Sequence, residues 1–276
     1  MKITITKDAG YCFGVRDAVN MAYDAAEKHG EVYMLGSIVH NEKVVNVLEN
    51  AGAKIVKNLS DVPNDSPILF RAHGTVNNLW EEAKAKNMNI VDATCPLVYE
   101  IHQEVKKLAE DGRQIIVIGD HGHDEVVAIT AQIDKSIVVS SPEEAKKLRK
   151  MKKAGIVSQS TQAIENVQAI MNIIMSKVFD LHFINTICFP TKRNHDQIKE
   201  IAEVNDVMII IGSFTSANSK RLTQLSLDRN PCSYQVKGAK YLDPKWFENK
   251  ESIGISAGAS TPDYLIEEVK GTIKNI

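Results

Sequence analysis

Short apolar runs alternate with amphipathic stretches along almost the whole chain, and this alternation restricts the fold more than any other feature. "KITIT", "VYML", "KIV", "PILF", "NIVD", "QIIVIG", "SIVVS", "GIVSQ", "HFIN", "VMIIIG" and "SIGIS" read as strands. Most are apolar on both faces, as parallel strands covered by helices must be. Helical patterns lie between them, over 13–29, 41–50, 78–86, 96–110, 163–176, 192–202, 219–227 and 263–274. Strand and helix in turn imply βαβ units, parallel sheets and right-handed crossovers. The fold class is therefore α/β.

Composition narrows the function. Aromatic residues are only 6% of the 276, too few for base-stacking platforms. A net charge of -2 and a pI near 6.5 leave no global basic field for nucleic acid or an anionic membrane. The lysine-rich "EEAKKLRKMKK" reads as a solvated helix face. No apolar run approaches the roughly 20 residues needed to cross a bilayer. The opening "MKITITKDAG" lacks the basic and apolar regions of a signal peptide, so a cytoplasmic location is expected. There the four cysteines would stay reduced, as inert core residues, nucleophiles or metal ligands.

Three of those cysteines share a setting. "ITKDAGYCFGVRDAV", "NIVDATCPLVYEI" and "HFINTICFPTKRN" each run strand, short turn, cysteine, helix. Cys12, Cys95 and Cys188 also divide the chain into three nearly equal parts, each long enough for a small α/β unit. Three such units around a pseudo-threefold axis would bring three strand ends, and three thiols, to one centre. At a helix N-terminus, unpaired amides and the dipole favour a thiolate. Pro96 fits the first turn, where its missing N–H costs nothing. No CxxC pair of the kind that structural zinc uses occurs. Widely spaced single cysteines suit a cluster held between units, and three thiolates would leave one iron for substrate. Cys232, in "NPCSY", lacks the pattern.

Histidines and hydroxyls gather at similar strand ends. His40 follows "VYML" and its short turn, His73 follows "PILF", and His121, His123 and Glu125 follow "QIIVIG". "VSQSTQ", "GSFTSANSKRL" and "SAGASTPD" are hydroxyl-rich loops between strand and helix, suited to phosphate at a helix N-terminus. No Walker loop and no strand-borne GxGxxG is present, so a nucleotide is not indicated.

Taken together, "YCFGV", "VHN", "AHG", "DATCP", "GHDEV", "SQST", "NTIC", "GSFTSANS" and "AGASTPD" closely resemble the LytB/IspH family of 4-hydroxy-3-methylbut-2-enyl diphosphate reductases. The resemblance implies three pseudo-symmetric βα units, arranged as a trefoil around a central [4Fe-4S] cluster. By cysteine position these would cover 13–95, 96–188, and 189–276 together with 1–12. It implies reductive dehydroxylation of an allylic diphosphate to isopentenyl and dimethylallyl diphosphates, the last step of the methylerythritol phosphate route. Carried over by motif, Cys12, Cys95 and Cys188 would ligate the cluster, whose unique iron would bind the substrate hydroxyl. Loss of that iron would leave [3Fe-4S]. His40, His73, His123, Ser216, Asn218 and Ser260 would bind the diphosphate. Glu125 would relay a proton, with Ser160 and His123 beside it. Ferredoxin or flavodoxin would donate electrons.

Three positions depart from the family pattern. Ser160 stands where threonine is usual, Ala217 where a second phosphate-binding serine is common, and Asn185 where aspartate precedes the third cysteine. Two other readings compete. "DHGHDE" resembles an HxH motif of a dinuclear metal hydrolase, and the hydroxyl loops alone would suit a non-catalytic phosphate-binding module. Neither has a use for three matched cysteines.

Overall fold

A computed structural model describes residues 2–276. Its strands form three four-stranded sheets, and every pairing is parallel. One sheet contains β1 (Lys2–Ile5), β10 (Val207–Ile211), β11 (Ser233–Val236) and β12 (Ser252–Ala257). A second contains β2 (Val32–Leu35), β3 (Ala53–Val56), β4 (Pro67–Phe70) and β5 (Asn89–Asp92). The third contains β6 (Gln114–Ile118), β7 (Ser136–Val139), β8 (Met151–Ser158) and β9 (Val178–Phe183).

Spatial order repeats among them: β1-β12-β10-β11, β5-β4-β2-β3 and β9-β8-β6-β7. In the second and third sheets the chain starts at an inner strand and steps to the outer edge. It then crosses back past its start and finishes on the opposite edge. The first sheet follows the same path, except that its finishing strand, β1, comes from the beginning of the chain.

The helices are α1 (Phe13–His29), α2 (Glu42–Asn50), α3 (Asn77–Ala85), α4 (Pro96–Glu110) and α5 (Asp124–Thr130), followed by α6 (Pro142–Lys147), α7 (Ile164–Ile174), α8 (Phe189–Val204), α9 (Ala217–Leu227) and α10 (Asp263–Lys274). The inner strands show why they must be covered twice. In β10, Val207, Ile209 and Ile211 join Leu265, Ile266 and Val269 of α10, with Ile253 and Ile255 of β12. Met208 and Ile210, on the other face, pack with Ile198 of α8 and Leu222 and Leu225 of α9. In β6, Ile116 and Ile118 meet α7, whereas Ile115 and Val117 meet α4 and α5. Each such side chain contributes about 1.5–3 kcal/mol on burial.

The chain divides into two compact units. Met1–Arg16, Val39–Asn46 and Phe189–Ile276 form one, which holds the first sheet; Asp17–Ile38 and Val47–Cys188 form the other, with the second and third sheets. No described helix is long and apolar enough to cross a membrane.

Several elements differ from the sequence reading. The lysine-rich stretch is not one helix: α6 ends at Lys147, and Met151, Lys152 and Lys153 already belong to β8. Edge strand β11 and the short helix α5 were not expected, and α6 is only the first part of the helix that the lysine-rich stretch suggested. Helix α8 starts three residues early, because the chain turns helical immediately after Cys188 and Pro190 suits a first turn.

Candidate active site

Cysteine follows the finishing edge strand in every sheet. The amide of Cys12 donates to Ala259 O at 3.3 Å, that of Cys95 to Ala72 O at 3.0 Å and that of Cys188 to Ser160 O at 2.9 Å. Each acceptor lies in the loop after the neighbouring strand of the same sheet, β12, β4 or β8. Three distant stretches of sequence thus build one arrangement: edge strand, turn, cysteine latched to the next loop, helix. Cys95 is the N-cap of α4. The Cys12 carbonyl accepts from Arg16 N at 2.9 Å, which opens α1 in the same way.

Short acceptors shape the turns ahead of two of these thiols. Asp92 Oδ1 accepts from Thr94 N at 3.1 Å and Thr94 Oγ1 at 2.6 Å, and its other oxygen accepts from the Tyr99 hydroxyl. That bond and partial burial push the Tyr99 phenol up to about 12, burial being the larger cause. Asn185 Oδ1 accepts from Ile187 N at 3.3 Å. The Asn185 departure therefore keeps the turn and removes only a charge.

Loops after the inner strands β2, β6 and β10 match as well. Each begins with glycine, and the amides of Gly36, Gly119 and Gly212 donate to Val56, Val139 and Val236 of the outer edge strand. A helix then starts on a side-chain cap. Asn41 Oδ1 accepts from Lys43 N at 3.1 Å, His123 Nδ1 from Glu125 N at 3.2 Å, and Ser216 Oγ from Ser219 N at 3.3 Å. Asn41, His123 and Ser216 consequently occupy corresponding places, and His40 stands one residue ahead of the first of them. His73 has no such place; it follows β4, as Ser160 follows β8 and Ser260 follows β12.

The unit built on the second and third sheets brings Glu125, Ser160, His123 and His73 together. Glu125 is 1% exposed, and its two oxygens accept from Ser160 N at 2.6 Å and Ser160 Oγ at 2.8 Å. Serine thus supplies both bonds at the position where threonine is usual. Because His123 Nδ1 accepts from the Glu125 N–H, a neutral His123 ring carries its proton on Nε2. The His73 and His123 rings meet edge to face, with centroids 5.7 Å apart. Beside them Arg71 Nη1 bonds Asp124 Oδ2 at 2.7 Å, a half-buried ion pair that the sequence reading missed.

His102 supports the His73 loop from behind. Burial, and secondarily the Lys106 charge, depress its pKa to about 4, so it is a neutral ring at neutral pH. Gly74, at φ +88, would place a Cβ 2.9 Å from His102 Cε1 and 3.3 Å from the Ala128 methyl. Gly74→Ala is therefore expected to cost about 1–3 kcal/mol from its backbone conformation and this crowding. A thermal melt would show the loss as a lower Tm, and an unchanged Tm would contradict it.

In the other unit, Ser260 Oγ donates to His40 O at 3.3 Å, and Asn41 Nδ2 donates to Ser260 O at 2.8 Å. This ties the "VHN" loop to the "AGAS" loop. At the start of α9, Asn218 Nδ2 and Ser219 Oγ are buried without a hydrogen-bond partner. A Cβ at Gly212 or Gly258 would collide with Ser219. The glycines therefore admit backbone and small polar groups around donors that await an acceptor. Ala217 lacks a hydroxyl but is the first residue of α9, where its N–H has no helical partner.

Not every histidine joins these clusters. His121 Nε2 turns away to Glu144 at 2.9 Å. Glu144 is held down at about 2, chiefly by the Ser140 backbone N–H and then by His121. With His121 Nε2 on Glu144 and His123 Nδ1 on the Glu125 N–H, the HxH pair does not point at one ion. Cys232 packs against the apolar core of its sheet.

Comparison with known proteins agrees with this geometry. The family described as LytB protein matches residues 3–274. A 4-hydroxy-3-methylbut-2-enyl diphosphate reductase of Geotalea uraniireducens is 41% identical over 277 residues, covering 100% of this chain and 98% of the relative. The enzyme of that description from Geobacter sulfurreducens is 41% identical over 270 residues, covering 98% and 95%. Among solved structures, the E-1-hydroxy-2-methyl-but-2-enyl-4-diphosphate reductase of Plasmodium falciparum superposes with a TM-score of 0.92 at 28% identity, over 99% of this chain and 87% of that one. A second structure, of the reductase described as the terminal enzyme of the non-mevalonate pathway, gives 0.72 at 36% identity over 100% of both chains. Fold, loop geometry and full-length similarity converge: the chain belongs to the LytB protein family.

Proposed function

We propose that this chain reduces 4-hydroxy-3-methylbut-2-enyl diphosphate to isopentenyl and dimethylallyl diphosphates. The observation that carries the reading is the threefold recurrence of a cysteine latched beside an edge strand, one for each sheet. The donor set fits an iron-sulfur group: three thiols, each opening a helix whose N-terminal amides favour negative charge. Held by Cys12, Cys95 and Cys188, a [4Fe-4S] cluster would supply electrons and, at the iron without a cysteine, a Lewis acid for the substrate oxygen.

The chain's own groups do the rest. Overall, a C–O bond breaks, a C–H bond forms, two electrons and two protons are consumed, and the oxygen leaves as water. Hydroxide is a poor leaving group, so a proton must reach that oxygen. Glu125 is positioned to provide it, and the Ser160 hydroxyl can accept from Glu125 and donate onward, since a hydroxyl does both. Burying a diphosphate without donors would be very costly. His123, together with His40, His73, Ser216 and the amide of Asn218, would supply donors, and the Ser260 hydroxyl would join them by turning from His40 O. None is a lysine or arginine, so the anion is bound largely by hydrogen bonds and helix N-termini.

Anaerobic purification, reconstitution with iron and sulfide, and visible and Mössbauer spectra test the reading. The expected result is a brown protein with one spectroscopically distinct iron that converts the allylic diphosphate to both products under a chemical reductant. A colourless, iron-free protein after reconstitution would end it.

A further inference from the structure

Asp124 is the first residue of α5, directly after the cap His123. An acid suits that place in a helix, where it meets the positive end of the dipole. It does not suit an anion site. A carboxylate oxygen of Asp124 lies within 4.8 Å of a ring nitrogen of His73. A phosphate oxygen hydrogen-bonded to either nitrogen of that ring would lie no more than about 10 Å from the carboxylate. The Debye length is about 8 Å at physiological salt, and partly buried charges are screened less than exposed ones. Left alone, Asp124 would repel the group that the histidines hold.

Arg71 meets that charge. It directly follows β4, two residues ahead of His73, and its Nη1 bonds Asp124 Oδ2 at 2.7 Å. Gly36, at φ +75 in the loop after β2, leaves the path open, since a Cβ there would lie 2.8 Å from the same Nη1. The ends of three strands of one unit, β2, β4 and β6, thus shape the pair. As an ion pair with side chains 26% and 30% exposed, it adds little to stability. Its place gives a better account. The pair joins the loops that carry His73 and His123, whose ring centroids are 5.7 Å apart.

We propose that Arg71 sets the affinity for the diphosphate by cancelling the charge of Asp124. It acts through its partner and touches no reacting atom. The inference rests on the reading that His73 and His123 bind the diphosphate. Its consequence is that the two members of the pair act in opposite directions. Without Arg71, a bare carboxylate faces the anion and weakens its binding. Without the carboxylate charge, the guanidinium faces the anion and holds it more tightly. Neutralising both leaves the net charge of the site as it was.

The test titrates the reconstituted, oxidised holoenzyme by anaerobic calorimetry. The ligands are the allylic diphosphate and, as a probe without the carbon chain, inorganic diphosphate. Arg71→Gln is expected to raise both Kd values about tenfold, and Asp124→Asn to lower them about threefold or more. The double variant Arg71→Gln/Asp124→Asn should bind within about threefold of wild type, the non-additivity of a coupled pair. Arg71→Lys, which keeps the charge, should stay in that range too. Tighter binding by Asp124→Asn is a result that a purely structural pair does not give, because damage to the loops only weakens binding. Weaker or unchanged binding in Asp124→Asn overturns the proposal, as does a double variant that binds as poorly as Arg71→Gln. If Arg71→Gln does not fold, Asp124→Asn decides alone, since its amide carbonyl still accepts from Arg71. A wild type that binds neither ligand removes the underlying reading as well. A wild type that binds both, with the two single variants shifted in one direction, removes the charge role of Arg71 alone.

Discussion

Glutamine at position 125 is expected to lower turnover by about 10²–10⁴-fold, the range that a positioned acid contributes, while substrate still binds. The isostere keeps the carbonyl oxygen that accepts from Ser160 N, and its amide can donate to the Ser160 hydroxyl in place of accepting from it. Shape and hydrogen bonding survive; the capacity to carry a proton does not. Alanine is a poorer choice, since it would strand a buried N–H at a further cost of about 1–3 kcal/mol. Calorimetric titration with the diphosphate and single-turnover kinetics on the loaded protein separate binding from chemistry. Near-normal turnover in Glu125→Gln would reject the acid role.

Serine at Cys12, Cys95 or Cys188 is expected to have a still larger effect, the loss of both visible absorption and measurable turnover. The three substitutions should behave alike, because the three thiols occupy one place in three sheets with one amide bond each. A serine oxygen is a harder and more basic donor than a thiolate and is a poor ligand for iron-sulfur groups. Cys232→Ser, just ahead of β11 and packed against the apolar core of its sheet, should change neither property. Iron and sulfide analysis with visible spectra checks the series. A variant at one of the three positions that retains a full iron complement would remove that cysteine from the ligand set.

What could be read from the sequence depended on how local each cause was. Strands β6 and β10 are legible because helices cover both faces, so nearly every residue is apolar. Strand β11, Ser-Tyr-Gln-Val, pairs on one side only and lies between "NPC" and "KG", so it resembles a turn. Helix α5 hides because its cap is an imidazole nitrogen rather than Ser, Thr, Asn or Asp. The lysines of 143–153 misled because Lys152 and Lys153 open β8 before it enters the core, and composition alone does not mark that change.

The site divides in the same way. Cysteine, histidine and hydroxyl positions stood out because their settings recur. Arg71 and Asp124, 53 residues apart, and Asn41 and Ser260, 219 apart, become partners only in three dimensions. The carboxamide at Asn185 was legible as a departure, but the turn it shares with Asp92 is visible only in three dimensions.

Pairing of β1 with β12 carries a consequence for how the protein is made. The Thr6 and Ser256 hydroxyls bond at 3.1 Å across 250 residues, and the backbone of Cys12 is latched to Ala259. Cys12 therefore has no fixed position until β12, the last strand, has followed it, roughly 10–50 s later at ordinary elongation rates. Through that interval Cys12 is a loose thiol on a nascent chain, open to oxidation or to stray metal. Insertion of a metal centre that used this thiol would belong after translation, and factors guarding the segment around Cys12 would matter more than those acting on the sheets finished in mid-chain.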